Sequence, residues 1–177
     1  RLRSRGLGDV YKRQVQEATT RRLPDLKERH LPENCRETIN TILKETYGYE
    51  QFRNLEIYDD LSKGKEKLCI SQGQLIENVI LEAEKAWKGE TQVDNILLTA
   101  PTGSGKSLLF QLPAIYLGKE YNLLTIVVSP LKALIVDQVE SLQELGYMRV
   151  AYASSDLSPE QKMEVYRQVR EGEIDLF

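Results

Sequence analysis

The sequence predicts an α/β fold in which a parallel sheet carries helices on both faces, preceded by a small helical region. In residues 95–177, short continuously apolar runs, typical of buried parallel strands, alternate with segments of helical periodicity. A glycine-rich turn lies between the first apolar run and the helix that follows it. Because ligands of such sheets bind at the carboxyl ends of strands, this turn is the first candidate site.

Four apolar runs are predicted to be strands, and helices are expected to connect them. The strands are expected at residues 96–99, 123–128, 149–153 and 174–177. The connecting helices are expected at residues 106–117, at residues 131–145 and from Ser158 onward. Ser158 followed by Pro159 is a typical helix start, since serine caps the free N–H groups and proline suits the first turn.

Residues 15–65 predict a helical N-terminal region, and residues 66–177 predict the α/β domain. Apolar residues recur at helical spacing over residues 35–46, and a second helix is expected through residues 55–61. Ser71 and Gln74 have the spacing of a capping box, in which each side chain bonds the other residue's backbone. A third helix is therefore expected over residues 72–87.

The first fourteen residues, RLRSRGLGDVYKRQ, read as foreign to the rest of the chain. They contain five basic residues and one acidic residue, without apolar periodicity, and their end resembles a translated sequencing adapter. A basic nucleic-acid-binding arm is the alternative. Removing this segment from the 24 basic and 27 acidic residues of the chain changes the net charge from −3 to −7. Any nucleic-acid contact must therefore be local and directed at phosphates.

The bulk composition excludes several classes of protein. Hydrophobic residues make up 41% and charged residues 29%, which is ordinary for a soluble globular domain. No apolar run approaches the roughly 20 residues of a membrane span, so no membrane partner is expected. Cys35 and Cys69 are isolated and His30 is the one histidine, which argues against a disulfide framework or a zinc site. Two reduced thiols predict a cytoplasmic protein.

Residues 100–107, APTGSGKS, form a phosphate-binding pattern between a predicted strand and a predicted helix. The glycines let backbone N–H groups turn toward phosphate oxygens, and the helix directs its positive end at the same anion. Lys106 is expected to bind the β and γ phosphates of ATP, and the Ser107 hydroxyl is expected to ligate Mg²⁺. These two residues are the predicted catalytic pair. The remaining predicted nucleotide-binding residues of the loop are Thr102, Gly103, Ser104 and Gly105.

The wider sequence resembles superfamily 2 (DEAD/DEAH-type) ATP-dependent helicases, of the RecQ type. The loop is similar to their first motif, and residues 128–139, VSPLKALIVDQV, are similar to motif Ia. Upstream, residues 47–49 (Tyr-Gly-Tyr) with Phe52 and Arg53 resemble the segment that opens RecQ cores. The resemblance covers about residues 47–177. It implies a RecA-like P-loop NTPase domain, the first motor domain of the protein, incomplete at its C-terminal end.

The resemblance also implies a nucleic-acid interface and a reaction. Ser129, Pro130, Leu131 and Lys132 would contact the backbone of single-stranded or forked DNA, in preference to RNA. The parent protein would be an ATP-driven 3′-to-5′ DNA translocase. The family's Asp-Glu-x-His motif and its second motor domain are expected after residue 177, so the fragment is expected neither to hydrolyse ATP nor to unwind DNA. Asp175 is interpreted as an ordinary strand-edge residue, distinct from that acidic pair.

The residue that recognises adenine departs from the family pattern. RecQ chains place a glutamine shortly after Phe-Arg, where this chain has Glu56. Gln74 is the predicted reader, with Gln72 as the alternative, because an amide can donate to and accept from adenine's edge. Both glutamines would otherwise only cap the helix.

Three other functions compete with the helicase. A defence or restriction-type DNA translocase would share the same motor. A non-hydrolysing nucleotide-binding regulatory module would need only the phosphate loop. A small-molecule kinase is disfavoured by residues 129–132, Ser-Pro-Leu-Lys, and by the lack of an arginine-rich lid segment.

Overall fold

The computed structural model of this chain describes residues 28–58, 67–98 and 103–177, excepting the side chains of residues 57 and 58. The predictions for residues 1–14, for residues 15–27 and for Thr102 lie outside these ranges. In the described part there are five helices and one hairpin. The helices are α1 Glu33–Tyr47, α2 Gln72–Trp87, α3 Leu108–Tyr121, α4 Lys132–Glu144 and α5 Pro159–Arg170, and the strands are β1 Asn54–Tyr58 and β2 Lys67–Ser71.

Two helices begin where the sequence predicts, and each begins with a capping box, of which only the one at Ser71 was predicted. At α2, the Ser71 hydroxyl accepts from the Gly73 N–H at 3.1 Å, and Gln74 Oε1 accepts from the Ser71 N–H at 3.2 Å. At α5, Ser158 and Gln161 make the same reciprocal pair at 3.2 and 2.8 Å. Each box satisfies backbone donors that a helix start leaves unpaired, which confirms both predicted starts.

The helix expected through residues 55–61 is wrong, because residues 54–58 form strand β1. Strand β2 pairs with β1 antiparallel, and Leu55 lies opposite the buried Ile70. Apolar residues in this stretch recur with the period of two that is typical of a strand. The local sequence did not distinguish this short pattern from that of a helix. The predicted domain boundary between residues 65 and 66 lies outside the described residues.

The predicted parallel sheet is present only as isolated pairing. Leu176 bridges both Thr125 and Val150 in parallel, and the Ala151 N–H donates to the Leu176 carbonyl at 3.1 Å. Residues 174–177 therefore lie between residues 123–128 and 149–153. The strand expected at residues 96–99 is not found in its described part, since residues 96–98 have no strand pairing.

Residues 126–128 were expected to be buried, and they are exposed. Ile126 is 64% and Val128 91% exposed. The Val127 N–H donates to the Phe177 carbonyl at 2.7 Å, so this segment is paired along one side. Its other side faces a cavity rather than another described strand. Burial of this run depends on neighbours that its own residues do not specify.

Helix α3 is the centre of the hydrophobic core. Ten of its residues are buried, and both α1 and α2 pack against it. Each fully buried Leu or Ile contributes about 1.5–3 kcal/mol, so this packing fixes the helix that follows the phosphate loop. Although α3 is apolar all round, no described helix is long and apolar enough to cross a membrane. The core side chains from these three helices include Ile39, Ile42, Leu43, Leu75, Ile76, Ile80, Leu112, Ala114 and Ile115.

Asp175 is not the ordinary strand-edge residue that the sequence suggested. It is 1% exposed, and Arg149 donates to both of its carboxylate oxygens at 2.8 and 2.7 Å. The Tyr147 hydroxyl donates to it as well. Because a buried carboxylate must be paired, this cluster ties the segments at residues 147–151 and 174–177 together beneath α3.

Candidate nucleotide site and nucleic-acid interface

The described part of the phosphate loop has the backbone that its glycines predict. Gly103 and Gly105 have φ of +83° and +78°, in the left-handed region that glycine adopts without steric cost. The chain then enters α3, where the Phe110 and Gln111 N–H groups already donate to the Ser107 carbonyl. The N-terminus of α3 therefore lies directly after the loop, where its positive end favours an anion.

Three polar side chains of the loop fit a bound phosphate group. Lys106 is exposed. Ser107 stands at the N-cap of α3 without a side-chain capping bond, so its hydroxyl can serve a metal ion. The Ser104 hydroxyl is buried and has no hydrogen-bond partner among the described residues. Leaving such a group unpaired costs about 1–3 kcal/mol, and a phosphate oxygen would supply the missing partner.

Gln72 holds the loop from the start of α2. Its Nε2 donates to the Ser104 carbonyl at 3.3 Å and to the Gly105 carbonyl at 3.4 Å. Its Oε1 accepts from the Arg53 N–H at 3.1 Å, and the residue is 2% exposed. Gln72 therefore connects the Phe-Arg segment to the phosphate loop through one buried amide.

Gln74, the predicted adenine reader, lies two positions further along and is engaged in the capping box of α2. The structure brings Gln72 to the loop and to the neighbouring cavity, and Gln74 does not line that cavity. Which of the two recognises adenine stays a prediction. The ring of Phe52 packs against Gly73, where an added Cβ would lie 2.7 Å from the ring, so the Phe-Arg segment fixes this helix start closely.

A cavity of about 210 Å³ lies beside the loop. Its wall includes Tyr47, Tyr49, Arg53, Gln72, Ser107 and Gln111. Tyr47 and Tyr49 stack with ring centroids 6.4 Å apart and planes inclined by 12°. Burial raises the pKa of the Tyr47 hydroxyl above its ordinary value, and the neighbouring Tyr49 raises it further, so this hydroxyl remains a donor. Flat aromatic and amide groups beside a phosphate loop suit a nucleotide base.

A second cavity, of about 590 Å³, is lined by Lys106 and Ser107 of the loop. Its wall is mainly apolar and includes Phe110, Val127 and Phe177. Lys106 is the one charged side chain among the described residues that line it. The phosphate loop thus lines both a small aromatic cavity and a larger apolar one.

Residues 129–132, the predicted nucleic-acid contact, lie at the carboxyl end of the 123–128 segment and lead into α4. Pro130, Leu131 and Lys132 are exposed, and the Ser129 hydroxyl accepts from the Leu131 N–H at 3.3 Å. Lys132 Nζ donates to Asp156 Oδ1 at 2.7 Å. Hydrogen bonds from Lys132 and then Ser155 hold the Asp156 pKa below its ordinary value. The predicted phosphate-binding lysine is therefore paired with a carboxylate.

The sequence analysis missed the partners that surround the predicted residues. Asp156 stands 24 positions from Lys132, and no local pattern joins them. Gln111 is 5% exposed, and its amide bonds both Tyr47 and Gln138. The sequence offered one signal of this bonding, since Gln111 is a polar residue within the otherwise apolar start of α3.

Comparison with known proteins identifies the family of this chain. Residues 72–176 match the family model described as DEAD/DEAH box helicase. The ATP-dependent DNA helicase RecQ of Haemophilus influenzae is 30% identical over 140 residues, which cover 79% of this chain and 17% of that protein. The RecQ helicase of Synechocystis is 32% identical over 132 residues, covering 75% of this chain and 21% of that protein. The ATP-dependent DNA helicase Q-like 5 of Arabidopsis thaliana is 32% identical over 141 residues, which cover 80% of this chain and 12% of that protein.

The chain therefore spans about a fifth or less of the length of these relatives. The family match covers more than half of the chain and includes the phosphate loop, Gln72 and residues 129–132. The resemblance to RecQ helicases that the sequence motifs suggested is confirmed by all three relatives. On these grounds the chain belongs to the DEAD/DEAH box helicase family, as a RecQ-like member.

Proposed function

We propose that this chain is the ATP-binding part of an ATP-dependent DNA helicase that moves 3′-to-5′ along single-stranded DNA. The observation that carries the proposal is the phosphate loop at the N-terminus of α3, with the buried Ser104 hydroxyl, which lacks a hydrogen-bond partner among the described residues, inside it. Family membership and the relatives, which are ATP-dependent DNA helicases, support the same function.

In this proposal ATP lies across the loop. Its phosphates face Lys106 and the loop amides, and the Ser104 hydroxyl donates to a phosphate oxygen. Its base occupies the 210 Å³ cavity against Tyr47, with Gln72 or Gln74 reading the adenine edge. Ser107 would hold Mg²⁺ together with the nucleotide, and the ion would neutralise phosphate charge.

The nucleic-acid contact is proposed at residues 129–132. Pro130, Leu131 and Lys132 of this segment are exposed, and its one lysine suits contact with a DNA backbone without reading bases. The acidic net charge of −3 leaves no general attraction to DNA, so contact has to be local. Single-stranded or forked DNA is the proposed substrate.

We assign nucleotide binding, rather than turnover, to these 177 residues alone. Hydrolysis needs carboxylates that hold Mg²⁺ and orient water. The described wall of the 590 Å³ cavity beside Lys106 and Ser107 provides one charged group, which is Lys106 itself. The acidic pair is proposed to enter from this side.

We extend the proposal to the fold of the domain and to the cellular compartment of the protein. The parallel bridges of Leu176 with Thr125 and Val150 would be part of a RecA-like sheet with helices on both faces. Cys35 and Cys69 are both free thiols, which supports a reducing compartment such as the cytoplasm.

The test is ATP turnover by the chain extended to the full length of its reading frame, with and without single-stranded DNA. We expect DNA-stimulated turnover that Lys106→Ala abolishes. Lys119→Ala, an exposed lysine on the same helix, should leave it unchanged. Strand separation from 3′ but not 5′ overhangs then tests direction. ATP binding without turnover would overturn the helicase and favour the regulatory module, and turnover without strand separation would favour a defence-type translocase.

A further inference from the structure

Three polar side chains from three helices form a chain of hydrogen bonds behind the phosphate loop. The Tyr47 hydroxyl at the end of α1 donates to Gln111 Oε1 at 3.2 Å. Gln111 Nε2, on α3, donates to Gln138 Oε1, on α4, at 2.9 Å. Both ends of the Gln111 amide are therefore engaged, one by each neighbouring helix.

This chain is buried at its centre. Gln111 is 5% exposed, so water cannot readily replace either of its partners. A buried amide that loses one partner is destabilised by the full cost of desolvation. The two hydrogen bonds of Gln111 should therefore form or break together. The three side chains are thus expected to keep or lose their geometry together.

The two ends of the chain reach different cavities. Tyr47 and Gln111 line the 210 Å³ cavity proposed for the nucleotide base. Gln138 lines the 590 Å³ cavity and belongs to α4, the helix that begins at Lys132. Among the residues of α4, Val139 and Leu142 are the buried ones, so few apolar contacts hold this helix. The bond from Gln111 adds a polar contact to the two buried apolar side chains that hold this helix.

We propose that Tyr47, Gln111 and Gln138 couple occupancy of the base cavity to the position of α4 and, through it, to residues 129–132. A base stacked at Tyr47 restrains its hydroxyl and the Gln111 amide, and the restrained amide holds Gln138. Gln111 and Gln138 are positioning residues, since neither has to contact the phosphates. The inference rests on the proposed function, because it takes the 210 Å³ cavity as a nucleotide site. Coupling of this kind is reciprocal, so an occupied 129–132 segment would strengthen nucleotide binding equally.

The test is amide hydrogen exchange of this chain with and without Mg²⁺–ADP. In the wild type, nucleotide should slow exchange in residues 103–110 and, by roughly threefold or more, in the amides of α4. Gln138→Met should keep the first effect and lose the second. Gln143→Ala, an exposed glutamine on the same helix, should behave as the wild type.

A double substitution separates coupling from simple damage. The double variant Gln111→Met with Gln138→Met leaves no unpaired amide between α3 and α4. It should lose the nucleotide-dependent slowing of exchange in α4 to the same extent as Gln138→Met alone or Gln111→Met alone. Nucleotide protection of α4 that persists in Gln138→Met, or returns in the double variant, overturns the inference. So does protection of residues 103–110 without protection of α4 in the wild type. If residues 103–110 themselves are unprotected in the wild type, the proposed function fails and the inference fails with it.

Discussion

Gln72 and Gly105 are in direct contact: the Gln72 Nε2 donates to the Gly105 carbonyl at 3.4 Å, and a Cβ on Gly105 would lie 2.5 Å from that nitrogen. The amide of Gln72 therefore fills the space that the glycine leaves open. The same amide accepts from the Arg53 N–H, so the loop and the Phe-Arg segment share one support.

Gln72→Ala should weaken both the fold and nucleotide binding. It leaves the Arg53 N–H without its side-chain partner and removes the support of Ser104 and Gly105, so we expect a loss of about 1–3 kcal/mol in unfolding free energy. Urea unfolding and calorimetric titration with Mg²⁺–ATP measure the two effects. Wild-type nucleotide affinity in this variant would contradict the support that we assign to Gln72.

Gln74→Ala is the matched comparison on the same helix. It removes the capping-box bond to Ser71 and should cost about 0.5–2 kcal/mol in unfolding free energy, with the phosphate loop unchanged. If Gln74 reads adenine, its loss also reduces the preference for ATP over GTP. An unaltered preference here, together with a reduced one in Gln72→Ala, would assign adenine recognition to Gln72.

Asp156→Asn should increase affinity for single-stranded DNA, because it releases Lys132 for a phosphate. We expect a gain of about two- to fivefold at low salt, typical of surface charge pairs, that shrinks as salt is added. Fluorescence anisotropy of a labelled oligonucleotide measures it. Glu140→Gln, the same change of charge on α4, is the control. An equal gain from Asp156→Asn in a Lys132→Ala background would show that Lys132 is not involved.

Gly118→Ala should destabilise the chain through Asp175. The added methyl group would lie 2.3 Å from the Asp175 Cγ, and that carboxylate is held in place by Arg149. Alanine stabilises a helix by about 1 kcal/mol relative to glycine, whereas such overpacking costs about 1–3 kcal/mol or more. We therefore expect a net decrease in the free energy of unfolding. Thermal unfolding should show a lower midpoint than for Glu120→Ala, an exposed neighbour. A stability equal to wild type would contradict this packing.

Stability should fall in alkaline solution. Burial raises the pKa of the Tyr147 hydroxyl, and its hydrogen bond to Asp175 raises it further. The unfolded chain ionises this tyrosine near pH 10, so its contribution is complete below that pH and is lost as pH rises toward the folded-state pKa. Urea unfolding at about pH 8 and about pH 11 should show a smaller loss for Tyr147→Phe than for the wild type. An equal decrease in the free energy of unfolding in both proteins would contradict the role that we assign to Tyr147.

The sequence was informative wherever structure is determined locally. Ser71 and Ser158 predicted two helix starts correctly, because a capping box and a serine followed by proline are both local patterns of a few residues. The phosphate loop was recognisable for the same reason, since glycines and Lys106 act within one turn of chain. The family followed from these motifs.

The errors fall where distant partners decide the outcome. Leu55 belongs to a strand because residues 67–71 return to pair with it. Ile126 and Val128 are apolar and yet exposed, since burial of a strand is set by the strands beside it. Asp175 is buried because Arg149, 26 positions away, neutralises it. The pairing of Lys132 with Asp156 was hidden for the same reason.

Nucleotide binding by the chain tests the central claim most directly. Calorimetric titration with Mg²⁺–ATP would be carried out on the wild type, Lys106→Ala and Lys119→Ala. We expect one site in the wild type and in Lys119→Ala, and an affinity lower by at least about tenfold in Lys106→Ala, the effect of losing a charged hydrogen-bonding partner. Equal affinity in Lys106→Ala, or no binding by the wild type, would contradict the assignment of this loop as an ATP site.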